Sequence, residues 1–213
     1  QLALPQIFTL PGNQEKQIKT GIQDVINHLA DFQNPKGYFT LWRDQQYFLP
    51  WINNYVGHFM VEAQNKGFVI PEAIYNKYLK FQVDAANAWT ENYNYVKNYE
   101  APSEDIQAYR LFVLTLAKKP NVPAMNKLAA LKLNSSTAKY LLAASYALAG
   151  NKSMATQALN HATESEPNAN DWEFLSPEVR NACILITAKY IGKDDLQNLY
   201  KDFPKVSQFY QVT

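Results

Sequence analysis

Apolar residues recur along this chain at the three- and four-residue spacing of amphipathic helices, in segments rich in Ala, Leu, Lys, Gln and Tyr. Helix breakers such as Gly67, Gly150 and Gly192 lie between these segments, where helices are expected to end. The pattern therefore predicts an all-α chain. The predicted helices lie near residues 14–33, 47–66, 71–97, 103–118, 122–132, 135–149, 152–165, 177–191 and 194–202.

Short connections between these helices predict antiparallel neighbours. In the second half, residues 109–118, 140–150 and 182–192 all form small-and-apolar helical segments that end at a breaker. Their spacing, about 32 and then about 42 residues, is too irregular for a strict solenoid. We therefore predict stacked helical hairpins that form an α/α toroid, closed or incomplete, or a short superhelix, in a single domain over residues 1–213.

Charge and composition exclude some classes of function. The formal net charge is +1, so no long-range field attracts nucleic acid, and nucleic acid is not an expected partner. The longest apolar runs are far shorter than the roughly 20 residues of a membrane span. The chain begins at Gln1 without a basic signal region or initiator Met, so we expect a piece of a longer protein.

Histidine and cysteine give little evidence of a chemical site. None of His28, His58 and His161 has metal-ligand spacing, and no phosphate-binding, dinucleotide-binding or nucleophile-elbow motif occurs. His58 and Glu62 are four residues apart, so they could share a metal or a proton, but we favour a structural role. Cys183 lies in an apolar helical run and is expected to be buried. We predict no catalytic residue, no metal and no cofactor.

Two acidic pairs are candidates for catalytic carboxylates. Glu104 with Asp105 and Asp194 with Asp195 are adjacent in sequence, so they diverge around a helix instead of facing each other across a substrate. Both pairs begin predicted helices. We therefore expect first-turn charges that compensate the helix dipole.

Aromatic residues are dense in two places and allow two interpretations. Such clusters could stack on sugars, but on amphipathic helices they more often belong to the core. Tyr93, Tyr95 and Tyr99 lie in a polar stretch and are the better candidates for an exposed binding surface. The two clusters are Trp42, Tyr47, Phe48, Trp51 and Tyr55, and Trp89, Tyr93, Tyr95 and Tyr99.

Three strings in the first half occur in a specific order. They are GYFTLW at 37–42, PWINNYVGHFMVEA at 50–63 and KGFVIP at 66–71. This order resembles the thioester-domain region of bacterial alpha-2-macroglobulin-like proteins, where the pattern runs close to GGF-x-x-W, W-x-x-x-YAGHFLLEA and KGY-x-VP. Segments 108–117 and 138–150 resemble the helices that follow in that family, so the resemblance extends over most of the chain.

The resemblance implies an α/α toroid within a large envelope protein, periplasmic or on the outer surface, that traps proteases. In thioester-bearing members, a Cys-x-Glu-Gln motif forms an internal thioester, which stays buried until cleavage exposes it to a protease lysine. No such motif occurs in these 213 residues, and Cys183 does not match it because Ile184 follows. The motif is expected upstream of Gln1, or this member has no thioester. His58 matches a family position that we interpret as packing.

Three functions remain in order of preference. The first is a non-enzymatic structural and interaction domain of a protease-trapping protein, whose partners are target proteases and neighbouring domains of the same chain. The second is a tetratricopeptide-like peptide-binding module, since 138–167 resembles one helix-turn-helix unit, although its neighbours do not repeat at 34 residues. The third is an α/α-toroid carbohydrate enzyme, which requires two converging carboxylates.

Overall fold

A computed structural model of the chain describes residues 11–90, 103–159 and 177–191. Within these ranges no strand forms beyond a single bridge between Gln33 and Phe39. The predicted all-α class is confirmed. The helices are α1 (Gly12–His28), a 3₁₀ helix (Leu29–Phe32), α2 (Pro50–Asn65), α3 (Glu72–Ala88), α4 (Ser103–Leu116), α5 (Val122–Ala129), α6 (Ser136–Leu148), α7 (Lys152–Ala158) and α8 (Pro177–Ile191).

Several helix ends differ from the sequence prediction. The helix predicted near 47–66 begins at Pro50, because proline lacks an N–H and is preorganised for the first helical turn. The helix predicted near 14–33 changes to 3₁₀ geometry at Leu29. The helix predicted near 71–97 ends at Ala88. The helix predicted near 194–202 lies outside the described residues, as do the last residues of the one predicted near 152–165.

The first of two compact units extends to Ala88. Helix α1 contributes Ile22 and Ile26, which are buried one turn apart on the same face. Helix α2 buries Met60 and helix α3 buries Tyr78, both with no exposed surface. The unit therefore has its own apolar core.

The second compact unit begins at Trp89, and α6 lies at its centre. Helix α6 packs against α4 and α8. The shorter helices α5 and α7, which precede and follow α6 in the chain, also pack against it. Residues 141–146 are all buried, and the small side chains of Ala143, Ala144 and Ser145 allow close approach of neighbouring helices. The small-and-apolar helices α4 and α8 are therefore both neighbours of the third one, α6. The toroid and the single domain stay predictions.

Candidate functional site

The first two family-like strings meet in a buried hydrogen-bond network. Asn53 on α2 has no exposed surface, and its Oδ1 accepts the backbone N–H of Phe39 at 2.7 Å. Its Nδ2 donates to the carbonyls of Phe39 and Leu49, both at 2.9 Å. The Asn53 side chain therefore holds the GYFTLW segment on the start of α2.

Helix α3 extends the same network. The Tyr78 hydroxyl donates to the carbonyl of Asn53 at 3.0 Å. Gln82, one turn further along α3, donates through Nε2 to the Tyr78 hydroxyl at 2.9 Å and to Asn54 Oδ1 at 3.3 Å. The side chains of Asn53, Asn54, Tyr78 and Gln82 are all buried. The polar groups of α2 and α3 therefore hydrogen-bond each other in a region of low dielectric, where hydrogen bonds are stronger than in water.

Two glycines of these strings are explained by close packing. A Cβ at Gly57 would overlap the phenol ring and hydroxyl of Tyr78. Gly37 has a φ of +106°, which glycine adopts readily, and a Cβ there would collide with the carbonyl oxygen of Lys77. The strings that carry the family resemblance thus specify packing and hydrogen bonding.

His58 lies on α2, partly buried, one turn before Glu62. Burial lowers the pKa of His58 below its ordinary 6.5, and the charge of Glu62 opposes this change. The imidazole is therefore neutral at neutral pH. Among the described residues, no group of three or more His, Cys, Asp or Glu side chains is placed to hold a metal ion.

The first aromatic cluster divides between the core and the surface. Phe48 is half-buried, and its ring centroid lies 5.2 Å from that of Tyr38 in an edge-on arrangement. Trp42, Tyr47 and Tyr55 are exposed, so the prediction that they belong to the core is wrong. Helical periodicity does not apply to Trp42 and Tyr47, because residues 41–49 precede α2 and are not helical.

The second aromatic cluster is described only at its start. Trp89 is buried, as predicted, and its carbonyl accepts a hydrogen bond from Lys127 of α5. The candidate binding residues Tyr93, Tyr95 and Tyr99 lie outside the described residues.

Glu104 and Asp105 do more than compensate the dipole of their own helix. The Glu104 carboxylate accepts the backbone N–H of Ser135 at 2.7 Å and that of Asn134 at 3.2 Å. Asp105 is buried and accepts the hydroxyl of Ser135, which itself caps α6 through the N–H of Ala138. The pair therefore fixes the start of α6 to the start of α4, a contact that local sequence does not reveal. Asp194 and Asp195 lie outside the described residues.

Cys183 is buried on α8, as predicted. Burial, together with the nearby charge of Asp105, raises the pKa of its thiol to about 12. A thiol in this state is protonated and a poor nucleophile. Its environment agrees with a structural role.

A groove with a volume of about 490 Å³ lies on the second unit. Its walls come from α5, the α5–α6 connection, α6 and α7, so two successive hairpins contribute to it. The lining combines aliphatic side chains with two lysines and contains no carboxylate. The lining residues are Asn126, Ala129, Ala130, Leu131, Lys132, Leu133, Lys139, Met154, Gln157 and Ala158.

None of the helices, as far as the described residues extend, combines the length and apolar character required to cross a bilayer.

Solved structures of bacterial alpha-2-macroglobulins share this fold. The native Escherichia coli protein, determined by cryo-EM, matches 90% of this chain with a TM-score of 0.77 at 16% identity. The crystal structure of the native E. coli protein from domain MG7 to its C-terminus matches 92% with a TM-score of 0.77 at 17% identity. Salmonella alpha-2-macroglobulin reacted with methylamine matches 81% with a TM-score of 0.68 at 18% identity.

The resemblance predicted from the three strings is thus confirmed as a likeness in fold. This chain spans 12% of the length of the first and third structures and 32% of the second. No protein-family model matches the sequence, and no curated protein sequence matches it.

Proposed function

We propose that this chain is a structural and interaction domain of a bacterial alpha-2-macroglobulin-like protease trap, and that it has no catalytic activity of its own. One observation carries the proposal. The strings that resemble the thioester-domain region contribute Phe39 and Asn53 to a buried network with Tyr78 and Gln82 of α3, within a fold shared with bacterial alpha-2-macroglobulins. The residues that carry the sequence resemblance therefore help to build the part of the fold that is described here.

The proposal includes the setting of the domain. The domain acts within a longer polypeptide in the bacterial cell envelope, periplasmic or on the outer surface. Target proteases contact that parent, and neighbouring domains contact this one. An α/α toroid over residues 1–213 is the arrangement that we propose for the helices. A thioester, where the parent has one, would come from a Cys-x-Glu-Gln motif outside these residues, since Cys183 is buried in an unrelated context.

The test uses the parent polypeptide with trypsin or elastase, since E. coli alpha-2-macroglobulin has been solved after activation by each. We expect cleavage of a large substrate such as casein to fall, cleavage of a short chromogenic peptide to persist, and the hydrodynamic radius of the parent to change. A parent whose radius and inhibition are unaffected by any protease would overturn the proposal. If the open reading frame encodes Cys-x-Glu-Gln upstream of Gln1, methylamine should attack the acyl carbon of the thioester, form one methylamide on the glutamine side chain and release the cysteine thiol. Without the motif, trapping should be non-covalent.

The groove supports a second candidate, a peptide-binding helical-hairpin module. Its volume is within the usual range for ligand sites, and its two lysines beside Leu131, Leu133 and Met154 suit a segment with acidic and apolar side chains. Fluorescence polarisation with a labelled peptide of alternating Glu and Leu tests it. Lys132→Glu should weaken binding several-fold, while Lys152→Glu, outside the groove, should not. Equal effects would reject this candidate.

The carbohydrate-enzyme hypothesis gains no support from the groove. Glycosidases use two carboxyl groups that face the scissile bond, and none of the ten lining residues is acidic. Glu104 and Asp105 are instead bonded to the start of α6.

A further inference from the structure

The charges of the second unit are unevenly distributed along its sequence. Six lysines occur between residues 105 and 164 but no acidic residue does, although the formal net charge of the whole chain is only +1. One of these lysines bonds to the carbonyl of Trp89, and two line the groove. The other three are exposed, and they are Lys118, Lys119 and Lys152.

Helices α4, α6 and α8 run in the same direction. The carboxylates at the start of α4 bond to the start of α6. On α8, the thiol of Cys183 lies within reach of the charge of Asp105, near the start of α4. Seven residues further along both helices, the ring of Tyr190 lies 6.2 Å from that of Phe112. The C-terminal ends of the three helices therefore lie at the same end of the unit.

This shared end carries four exposed lysines. We call it the lysine end, and its members are Lys118 and Lys119 after α4, Lys152 at the start of α7 and Lys189 in the last turn of α8. The acidic residues in the described part of the unit, Glu104, Asp105 and Glu178, occur instead in the first residues of α4 and α8. The lysines that pair with described carboxylates, Lys19 and Lys80, both lie in the first unit. The lysine end is therefore a positively charged surface.

Local structure disfavours lysine at two of these positions. Lys118 has a φ of +58°, a left-handed value that glycine adopts at lower cost. Its N–H donates to the carbonyl of Thr115, in the helix-end pattern that Gly67 and Gly150 form after α2 and α6. Lys152 is the first residue of α7, where the positive end of the helix dipole opposes a cation. These two charges do not serve their own helix ends, which indicates a role in contact with a partner.

The composition of the lysine end suits a field of phosphate groups. Its lysines come from three separate segments of the chain, and none of them lines the groove. Exposed apolar residues lie among them, since Val122 at the start of α5 is 42% exposed and Pro120 and Pro123 are also exposed. Clusters of about 4–8 Lys or Arg side chains are attracted to anionic bilayers, and nearby apolar side chains enter the headgroup region.

The freedom of these side chains favours lipid over an acidic protein. Recognition of one particular protein surface uses charged groups that hydrogen bonds hold in a defined geometry. Within the described ranges, the lysine ammonium groups that donate hydrogen bonds are those of Lys80 and Lys127, outside the lysine end. Lipid headgroups move laterally, so they can meet lysines that are not held in one geometry.

We propose that the lysine end binds the phosphate headgroups of an anionic lipid bilayer. Binding directs the C-terminal ends of α4, α6 and α8 toward the bilayer, with Val122 at the level of the headgroups. The proposal goes beyond protease trapping. It takes from the proposed function only the setting in the cell envelope, where bilayer surfaces are present.

Sedimentation of the 213-residue chain with lipid vesicles tests the proposal. One set of vesicles contains phosphatidylglycerol and phosphatidylcholine in equal parts, and the other contains phosphatidylcholine alone. We expect roughly tenfold or more tighter binding to the anionic set. Binding should be lost as NaCl rises from about 0.1 M to about 1 M, because the Debye length falls from about 10 Å to about 3 Å. Equal binding to both sets would overturn the proposal, as would tighter binding to soluble polyglutamate, which would indicate an acidic protein partner.

Two triple variants separate the lysine end from total charge. Lys118→Gly combined with Lys119→Gln and Lys152→Gln should weaken binding to anionic vesicles roughly tenfold or more. The melting temperature should not fall, since glycine suits the left-handed position of Lys118. Equal losses of binding in this variant and its control would overturn the proposal. The control removes the same charge from exposed lysines of the first unit, and it combines Lys16→Gln, Lys36→Gln and Lys77→Gln.

A fluorescent label tests the orientation of the bound chain. Val122→Cys and Val25→Cys each receive an environment-sensitive nitrobenzoxadiazole group, while the native Cys183 is buried. Val25 is the matched control, since it is apolar and 54% exposed but lies on α1. We expect anionic vesicles to shift the emission of the Val122 label to shorter wavelength and to leave the Val25 label unchanged. The absence of a shift at Val122, or an equal shift at Val25, would overturn the proposal. No protease is used, so a parent that does not respond to proteases would remove the trap function and leave the lysine end in place.

Discussion

Asn53 pairs with both backbone groups of Phe39, fourteen residues earlier, accepting its N–H at 2.7 Å and donating to its carbonyl at 2.9 Å. The side-chain amide thereby imitates the pairing that a neighbouring strand would provide. This lets a non-helical segment lie buried beside a helix without unsatisfied backbone groups. The bond pair fixes the segment that leads into the non-helical residues 41–49.

Asn53→Ala should lower the free energy of unfolding by about 2–4 kcal/mol. It removes three hydrogen bonds and leaves the backbone groups of Phe39 buried without this partner. Urea unfolding followed by circular dichroism measures the change. Asn65→Ala, at an exposed position on the same helix, is the control and should stay within about 0.5 kcal/mol. A loss at Asn53 no larger than the control would contradict the described network.

Gly57→Ala should destabilise the fold by about 1–3 kcal/mol, because the new methyl group overlaps Tyr78 and forces α2 and α3 apart. Gly12→Ala provides the matched comparison, since no heavy atom lies within 4 Å of a Cβ there. That change should be neutral or slightly stabilising, as alanine is the better helix former. Thermal unfolding of the two variants measures the difference. Equal melting temperatures would contradict the close approach of Tyr78 to Gly57.

His58 should make stability depend on pH. Its pKa is about 6.5 in the unfolded chain and is lowered in the fold by burial, with Glu62 acting in the opposite direction. Below pH 6.5 the unfolded state therefore binds more protons than the folded state, so stability falls as pH decreases and levels off below the folded pKa. His58→Gln should remove this part of the decline. Urea unfolding at about pH 7.5 and about pH 5.5 measures it, and an identical decline in both proteins would contradict the assignment.

Cys183 should resist thiol reagents in the folded protein. Its pKa of about 12 leaves almost no thiolate at pH 8, and burial also blocks access. We expect iodoacetamide to label it many times faster in concentrated guanidinium than in buffer, as followed by mass spectrometry. Rapid labelling of the native chain would show that α8 does not bury this side chain.

The sequence was informative where the information is local. Gly67 and Gly150 follow the ends of α2 and α6, and both have positive φ, which explains why a breaker predicted the helix end correctly. The burial of Cys183 followed from its apolar helical surroundings in the same way. Helix content and the order of the family-like strings needed no tertiary information.

Contacts between residues that are distant in the sequence could not be predicted from local patterns. The role of Asp105 depends on Ser135, thirty residues away, so its own neighbourhood suggested only a first-turn charge. The exposure of Trp42 depends on how the non-helical residues 41–49 are held by Tyr38 and Asp31, which no periodicity encodes. Aromatic composition alone suggested the core and was wrong there.

The bonds from Glu104 and Asp105 to residues 134 and 135 also bear on the order in which the second unit is made. They join segments only 30 or 31 residues apart. A ribosome adds 5–20 residues per second, so the second segment follows the first within about 2–6 seconds. The starts of α4 and α6 can therefore find each other during synthesis, before α8 is made and packs against α6.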